Sequence, residues 1–287
     1  MKFAYTASDR YLGVIEAFVQ AGWTPIKLFT LPSSHPQHFP VSASIRDGIQ
    51  RAIPIQLSPI KTEDLANLHD LGCDALVVAS YDYKIPDWTP YLKYGINFHP
   101  SPLPIGRGPY PLVEAVKRKL SSWGVTCHKL SPEFDSGDIL ETERFPLSQS
   151  DGHDILDFKV QLALKRLASR VANNFDSYWT HAQAQEPSEF WHAIQNNENL
   201  IDFNQSVVEI LDAIRSFGIF GVVGSVNDFK IKIHDAIGWE EPHSYPIGKI
   251  IHIHNTALVV SAKDGFMVLR NWVSEGPLLP QTAPIVI

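Results

Sequence analysis

The sequence predicts an α/β protein: a doubly wound, mostly parallel, Rossmann-like sheet, followed by a smaller domain resembling a β-barrel. Three observations predict it. Short apolar runs alternate with amphipathic helical stretches over the first hundred residues, the order that builds parallel sheets. One run, "DALVVAS" (74–80), is almost continuously apolar, as a strand buried on both faces must be. Beyond residue 200 the pattern changes to one helix and several short strands, which suits a small β-barrel.

The elements follow in order. "KFAYT" (2–6) reads as a buried first strand. Leu12, Ile15, Phe18 and Val19 then recur at helical spacing, with Ser8 or Asp9 as N-cap. "TPIKLFT" (24–30) is a second strand and 31–43 a turn-rich loop. A short helix near 44–51 and a short strand near 53–55 come next. The stretch 61–72 is a helix stopped by Gly72, and 74–80 and 95–99 are strands. A helix around 110–120 precedes two strands, 124–130 and 138–145. A long helix over about 151–180, capped by Asp151, buries Ile155, Phe158, Leu162, Leu167, Val171, Phe175 and Tyr178. Residues 1–185 form the larger domain, 186–200 a polar linker and 201–287 the small domain. The small domain opens with a helix at 206–218, and its strands are "DFKIKIH", "GKIIHIH", "ALVVSA" and "GFMVLRNW".

Composition narrows the function classes. The chain has 287 residues, 44% of them hydrophobic, so it folds rather than remaining disordered. Its formal charge of −7 leaves no overall positive footprint for nucleic acid. Cys73 and Cys127 lie far apart, fit no metal spacing and read as buried small hydrophobes of a reduced compartment. The N-terminus turns polar within a few residues, unlike a signal peptide, and no apolar run reaches the roughly 20 residues that span a bilayer. The expectation is a soluble, cytoplasmic protein.

The stretch "GINFHPSPLPIGRGPYP" (95–111) carries the chemistry. Residues two apart on a strand face one side, so Asn97 and His99 project together from a strand end. Pro100, Pro102 and Pro104 stiffen the exit and supply no donor to extend the strand. Ligands of open α/β sheets bind at this carboxyl edge. A strand end satisfied by its own loop is the competing explanation. Downstream, "FDSGDIL" puts Asp135 in a tight loop between strands. A carboxylate beside an imidazole raises its pKa and fixes its tautomer. Asn, His and Asp together suit acyl transfer, although Asp135 also fits an ordinary turn aspartate, which is how Asp138 reads. Arg107 is either a solvated loop arginine or a contact for an anionic substrate. Tyr110 either packs or stacks on a substrate ring. "HIH" at 252–254 places two imidazoles on one strand face, but no third ligand accompanies them, so no metal is expected.

The pairing of "NFHPSPLP…RG" with "GVT…FDSGDIL" resembles the folate-dependent formyltransferase family, which includes methionyl-tRNA, glycinamide ribonucleotide and sugar N-formyltransferases. The resemblance spans about the first 180 residues. It continues more weakly into "LIDFNQSVVEILDAIRSF", which looks like the opening of the tRNA enzyme's C-terminal domain. It implies transfer of a formyl group from N10-formyltetrahydrofolate to a primary amine, without a metal. Asn97 and a protonated His99 would hold the oxyanion, with Asp135 keeping His99 charged and assisting proton transfer. Folate contacts would map to Ser80, Tyr81, Lys84, Ile85 and Pro86, and to Leu130, Ser131 and Glu133. Amine-substrate contacts would map to Ser101, Arg107 and Tyr110.

Departures from the tRNA-acting branch steer the acceptor. The stretch matching its basic insert, "SSHPQHFPVSASIRDGIQ", holds one arginine and no lysine. "HPSPLP" is closer to the sugar-modifying branch, and "SFGIFGVVGSV" lacks the Pro-Trp-Pro turn. The expected acceptor is a small amine such as a nucleotide-linked amino sugar, with methionyl-tRNA as the alternative. A formyltetrahydrofolate hydrolase ranks low because such enzymes carry a preceding regulatory domain. A non-catalytic binding module ranks low because all three polar residues are retained.

Overall fold

The alternation of apolar strands and helices closes into a seven-stranded sheet. The computed structural model describes residues 1–7, 9–30, 53–81, 83–195 and 197–274. The strands of this sheet are β1 (Lys2–Ala7), β2 (Thr24–Phe29), β3 (Ile55–Gln56), β4 (Ala75–Ala79), β5 (Tyr94–His99), β6 (Ser122–Lys129) and β7 (Ile139–Pro146). Their order is β3-β2-β1-β4-β5-β6-β7. Pairing is parallel from β3 through β5, and β6 and β7 are antiparallel. The chain reverses its winding direction between β1 and β4, so β4 and β5 deliver their carboxyl ends to one edge beside that switch point.

Helices cover both faces. Phe3 of β1 meets Phe18 of α1 (Leu12–Gln20), and Phe18 also meets Trp23 and Phe98 edge-on. Ala4, the next residue of β1, faces the opposite cluster, where Leu65 and Leu68 of α2 (Thr62–Asp70) pack with Phe29, Leu76 and Val78. This alternation is the period of two expected of a strand buried on both sides. Cys73 and Cys127 are buried free thiols.

Contact clustering divides the chain into two compact units. One comprises Met1–Pro111, Leu120–Leu147 and Asp157–His192; the other gathers Leu112–Lys119, Ser148–Leu156 and the chain from Ala193. The second unit includes most of α3 (Pro111–Lys117). It also holds a five-stranded antiparallel sheet ordered β10-β11-β12-β9-β8. These strands are β8 (Val222–Val226), β9 (Phe229–Glu240), β10 (Ile250–His254), β11 (Ala257–Ala262) and β12 (Gly265–Ser274). Asn227 N–H donates to the Gly248 carbonyl at 3.0 Å, tying the β8–β9 turn to the approach of β10. The amphipathic helix (Val207–Phe217) opens on a capping box, Ser206 with Glu209, and lies on β9 and β12.

Several expectations change. The helix of residues 12–20 is preceded by a 3₁₀ turn, Asp9–Tyr11, and its N-cap position is Tyr11, with no side-chain cap; Ser8 lies outside the described residues. The loop 31–43 and the helix near 44–51 lie outside them too. Val19 is exposed, so α1 buries Val14, Ile15, Ala17 and Phe18 instead. The long helix ends at α4 (His153–Asn173), and Phe175 and Tyr178 belong to a separate α5 (Phe175–Thr180). The carboxylate of Asp151, two residues before α4, accepts the Ser148 N–H at 2.8 Å. The buried stripe of α4 is Leu156, Val160, Ala163, Leu164, Leu167, Ala168 and Val171, leaving Ile155, Phe158 and Leu162 exposed. Alanines allow close approach on one face, and hydropathy alone underweights them. With α6 now assigned to Val207–Phe217, the strand after it, β8, is one the sequence pattern missed. No helix among the described residues is long and apolar enough to cross a membrane.

The phase of α4 is testable. Leu164→Ala is expected to cost about 2–5 kcal/mol, while Leu162→Ala, on the open face, stays within about 0.5 kcal/mol. Urea unfolding of the two variants measures the difference, and equal costs would contradict the assigned face.

Candidate active site

The register of β5 against β6 makes the site. Asn97 lies opposite His128, and His99 opposite Thr126. Directly opposed residues share a sheet face, so four polar side chains gather where β5 ends. Thr126 fastens the proline-rich exit: its hydroxyl donates to the Ser101 carbonyl at 2.8 Å and accepts the Leu103 N–H at 3.0 Å. Trp123 Nε1 donates to the Pro100 carbonyl at 2.9 Å. Three prolines therefore leave β5 along a path that β6 dictates.

Asp135 enters from the β6–β7 loop with φ of 55°, in the left-handed region. Its Oδ2 accepts the Gly108 N–H at 3.0 Å. Its Oδ1 accepts from Asn97 Nδ2 at 3.4 Å, lies 3.3 Å from His99 Nδ1 and 3.7 Å from His128 Nε2. Asn97 Nδ2 also meets His128 Nε2 at 3.1 Å, while Asn97 Oδ1 is buried without a protein partner. His99 Nε2 donates to the Gly106 carbonyl at 2.9 Å, since that oxygen only accepts.

The Asp135 loop is clamped along its backbone. Arg107 Nη2 donates to the Phe134 carbonyl at 2.9 Å. Gln185 Nε2 reaches the Asp135 and Gly137 carbonyls at 3.0 and 2.6 Å. The Ser131 and Ser136 hydroxyls donate to the Glu133 carbonyl at 2.8 and 3.1 Å. Two glycines are obligatory here. A Cβ at Gly108, where φ is +119°, would stand 2.0 Å from the Trp191 carbonyl oxygen. A Cβ at Gly137 would stand 1.9 Å from that of Lys129.

Burial opposes charge on Asp135, but His99 and the Gly108 N–H outweigh it and hold the carboxyl well below the usual carboxylate range. Burial pushes His99 below the ordinary imidazole value, against the upward pull of Asp135 and of the Gly106 carbonyl.

The two segments assigned to folate contact lie side by side. Tyr81, Ile85 and Leu130 pack on one apolar cluster, and the Leu130 N–H donates to the Gly95 carbonyl at 2.8 Å. Ser80 turns the chain off β4 with φ of 61°; Lys84 and Glu133 are exposed and Pro86 half-buried. The Ser131 hydroxyl is engaged inside its own loop. Of the residues assigned to the amine substrate, Ser101 is fully buried, Arg107 is engaged with Phe134, and Tyr110 is half-buried. Asp138 pairs with Lys129 at 3.2 Å. His252 and His254 are exposed on β10, and no group of three His, Cys, Asp or Glu among the described residues is placed to hold a metal ion.

Sequence reasoning missed His128, Gly108 and Gln185. For His128 the signal was present: in "GVTCHK" it lies two residues past Thr126, on the same strand face. For Gln185 there was none, because it is the last residue before the stretch read as linker and belongs to no motif.

Comparison with known proteins adds the following. Residues 193–276 match the family model "Formyl transferase, C-terminal domain". The chain is 29% identical over 221 residues to methionyl-tRNA formyltransferase of Nitratiruptor sp., covering 76% of this chain and 72% of that one. HypX from Aquifex aeolicus, in complex with tetrahydrofolic acid, superposes with a TM-score of 0.74 at 16% identity. That match covers 96% of this chain, which spans only 44% of HypX. An N-formyltransferase from Helicobacter canadensis, in complex with folinic acid and dTDP-3-aminofucose, gives a TM-score of 0.63 at 17% identity, covering 94% and 98% of the two chains.

The ionised Asp135 has a consequence for stability. A carboxyl whose folded pKa is depressed stabilises above the unfolded value of about 3.9, and that contribution fades as pH falls through the folded pKa. Asp135→Asn is therefore expected to be less stable than wild type at pH 7, with the gap narrowing steadily below about pH 5. Urea melts across pH measure this, and a gap that does not change with pH would contradict it.

Proposed function

We propose, from the premise that this chain belongs to the folate-dependent formyltransferase family, that it moves a formyl group from N10-formyltetrahydrofolate to the primary amine of a nucleotide-linked amino sugar. The observation that carries this reading is the meeting of an amide, two imidazoles and one carboxylate around Asp135 Oδ1, at the carboxyl edge of the sheet.

The bound folate would supply a carbonyl carbon open to attack by an amine. Tyr81, Ile85 and Leu130 would wall its ring system, with Ser80, Lys84, Pro86, Ser131 and Glu133 on the same two segments. Asn97 Nδ2 would leave its long 3.4 Å contact with Asp135 and donate to the charge growing on the formyl oxygen. His99 would act from its neutral form. On Nδ1, beside Asp135, it would take the proton shed by the attacking amine and return it to the departing folate nitrogen. One N–H is lost by the amine and one is gained by the folate. Asp135, ionised throughout, would balance the imidazolium while it exists. Arg107 and Tyr110, flanking Gly108, would border the amine substrate.

The charge of −7 and the lysine-free stretch at 33–50 support a small acceptor, as does the near full-length likeness to the Helicobacter canadensis enzyme. Methionyl-tRNA is the second reading, favoured by the sequence relatives and by the matched C-terminal domain. The division into a catalytic domain over 1–185 and a small accessory domain from 201 belongs to the same proposal.

A formyl-transfer assay against nucleotide-linked amino sugars and charged initiator tRNA tests the choice. Folate-dependent formylation of at least one sugar is expected. Asn97→Ala, His99→Ala and Asp135→Ala should each lower kcat by roughly 10²–10³-fold. Formylation of the tRNA with none of the sugars would overturn the small-amine reading.

A further inference from the structure

We propose that His128 is a positioning residue that fixes which face of the Asn97 amide meets the reacting oxygen; the inference rests on the formyl-transfer reading. His128 is 1% exposed and directly opposite Asn97 across the β5–β6 pair. It is buried and takes no part in the proton transfer proposed above.

The hydrogen-bond chemistry leaves little freedom. His128 Nδ1 lies 2.8 Å from the Lys129 carbonyl oxygen. That oxygen only accepts, so Nδ1 carries the proton, and in the arrangement proposed here Nε2 offers its lone pair. Asn97 stands 3.1 Å from that lone pair, and only its NH₂ end can satisfy it. The other amide hydrogen then faces Asp135 Oδ1 at 3.4 Å, and Oδ1 of Asn97 is left buried without a protein partner. His128 thus selects one of the two amide orientations. A flipped amide would present a carbonyl oxygen where an N–H is wanted, opposing the charge that grows on the formyl oxygen. The carbonyl that fixes the His128 tautomer is that of the next residue on the same strand, so the selection is built into β6.

The competing arrangement is an imidazolium at position 128 with the Asn97 amide reversed. ¹⁵N NMR of histidine-labelled wild-type protein at neutral pH separates the two. A protonated Nδ1 with a bare Nε2 at His128 is expected; a protonated Nε2 would overturn the proposal. This arm does not depend on activity, so it stands even if the formyl-transfer reading fails. The kinetic arm uses His128→Leu, which removes the acceptor, and His128→Gln, whose side-chain oxygen can restore it. Leu is expected to lower kcat about 10²-fold with both KM values within about threefold, the scale of a misplaced catalytic group. Gln is expected to recover at least tenfold of that loss. Circular dichroism confirms folding of each variant. Wild-type kcat in folded His128→Leu, or a folded Gln variant no better than Leu, would overturn the proposal.

Discussion

The Asp135 carboxylate is the constraint on which the site depends. One oxygen is fixed by the Gly108 N–H, and the other is met by the Asn97 amide, with both imidazoles within 4 Å. A buried carboxylate survives only when such groups replace its water. These four groups come from three stretches of chain: the end of β5, the loop after its prolines, and β6. Holding that charge therefore fixes the relative placement of all three. The proline run and the left-handed backbone at Asp135 are what this arrangement requires locally.

The clamp also explains residues with no chemistry of their own. Gly108 and Gly137 are glycines because carbonyl oxygens of Trp191 and Lys129 stand where a Cβ would go. Trp191 in turn stacks on Trp123, whose indole N–H holds Pro100. Gln185 and Trp191 lie at the start of the stretch that reads as a polar linker, yet they fasten the site: Gln185 holds the loop bearing the catalytic candidate, and the Trp191 carbonyl crowds Gly108. A substitution there would act on the site through backbone position rather than through contact with a substrate.

Much of this was legible in the sequence, and the failures have physical causes. The sheet was readable because buried parallel strands are continuously apolar, and Asn97, His99 and Asp135 because polar residues at strand ends stand out against such runs. The buried face of α4 was misread because Ala163 and Ala168 pack closely yet count for little as hydrophobes, while Phe158 and Leu162 are large and exposed. His128 was passed over because its importance lies in a cross-strand pairing, which one strand's sequence does not reveal. The downward pull of burial on His99 was not readable, because burial is a property of the assembled fold. The Asp135 cluster by itself fits a sugar or a tRNA reading equally.

The most direct test of this account is the ionisation of Asp135 itself. ¹³C NMR of the aspartate side-chain carboxyls, assigned to Asp135 by loss of its signal in a variant, follows the charge as pH is lowered in the folded range. The account requires a signal that stays ionised while ordinary aspartates titrate near pH 3.9. A midpoint at or above that value would show that His99 and the Gly108 N–H do not hold the charge, and the proposed organisation of the site would fall with it.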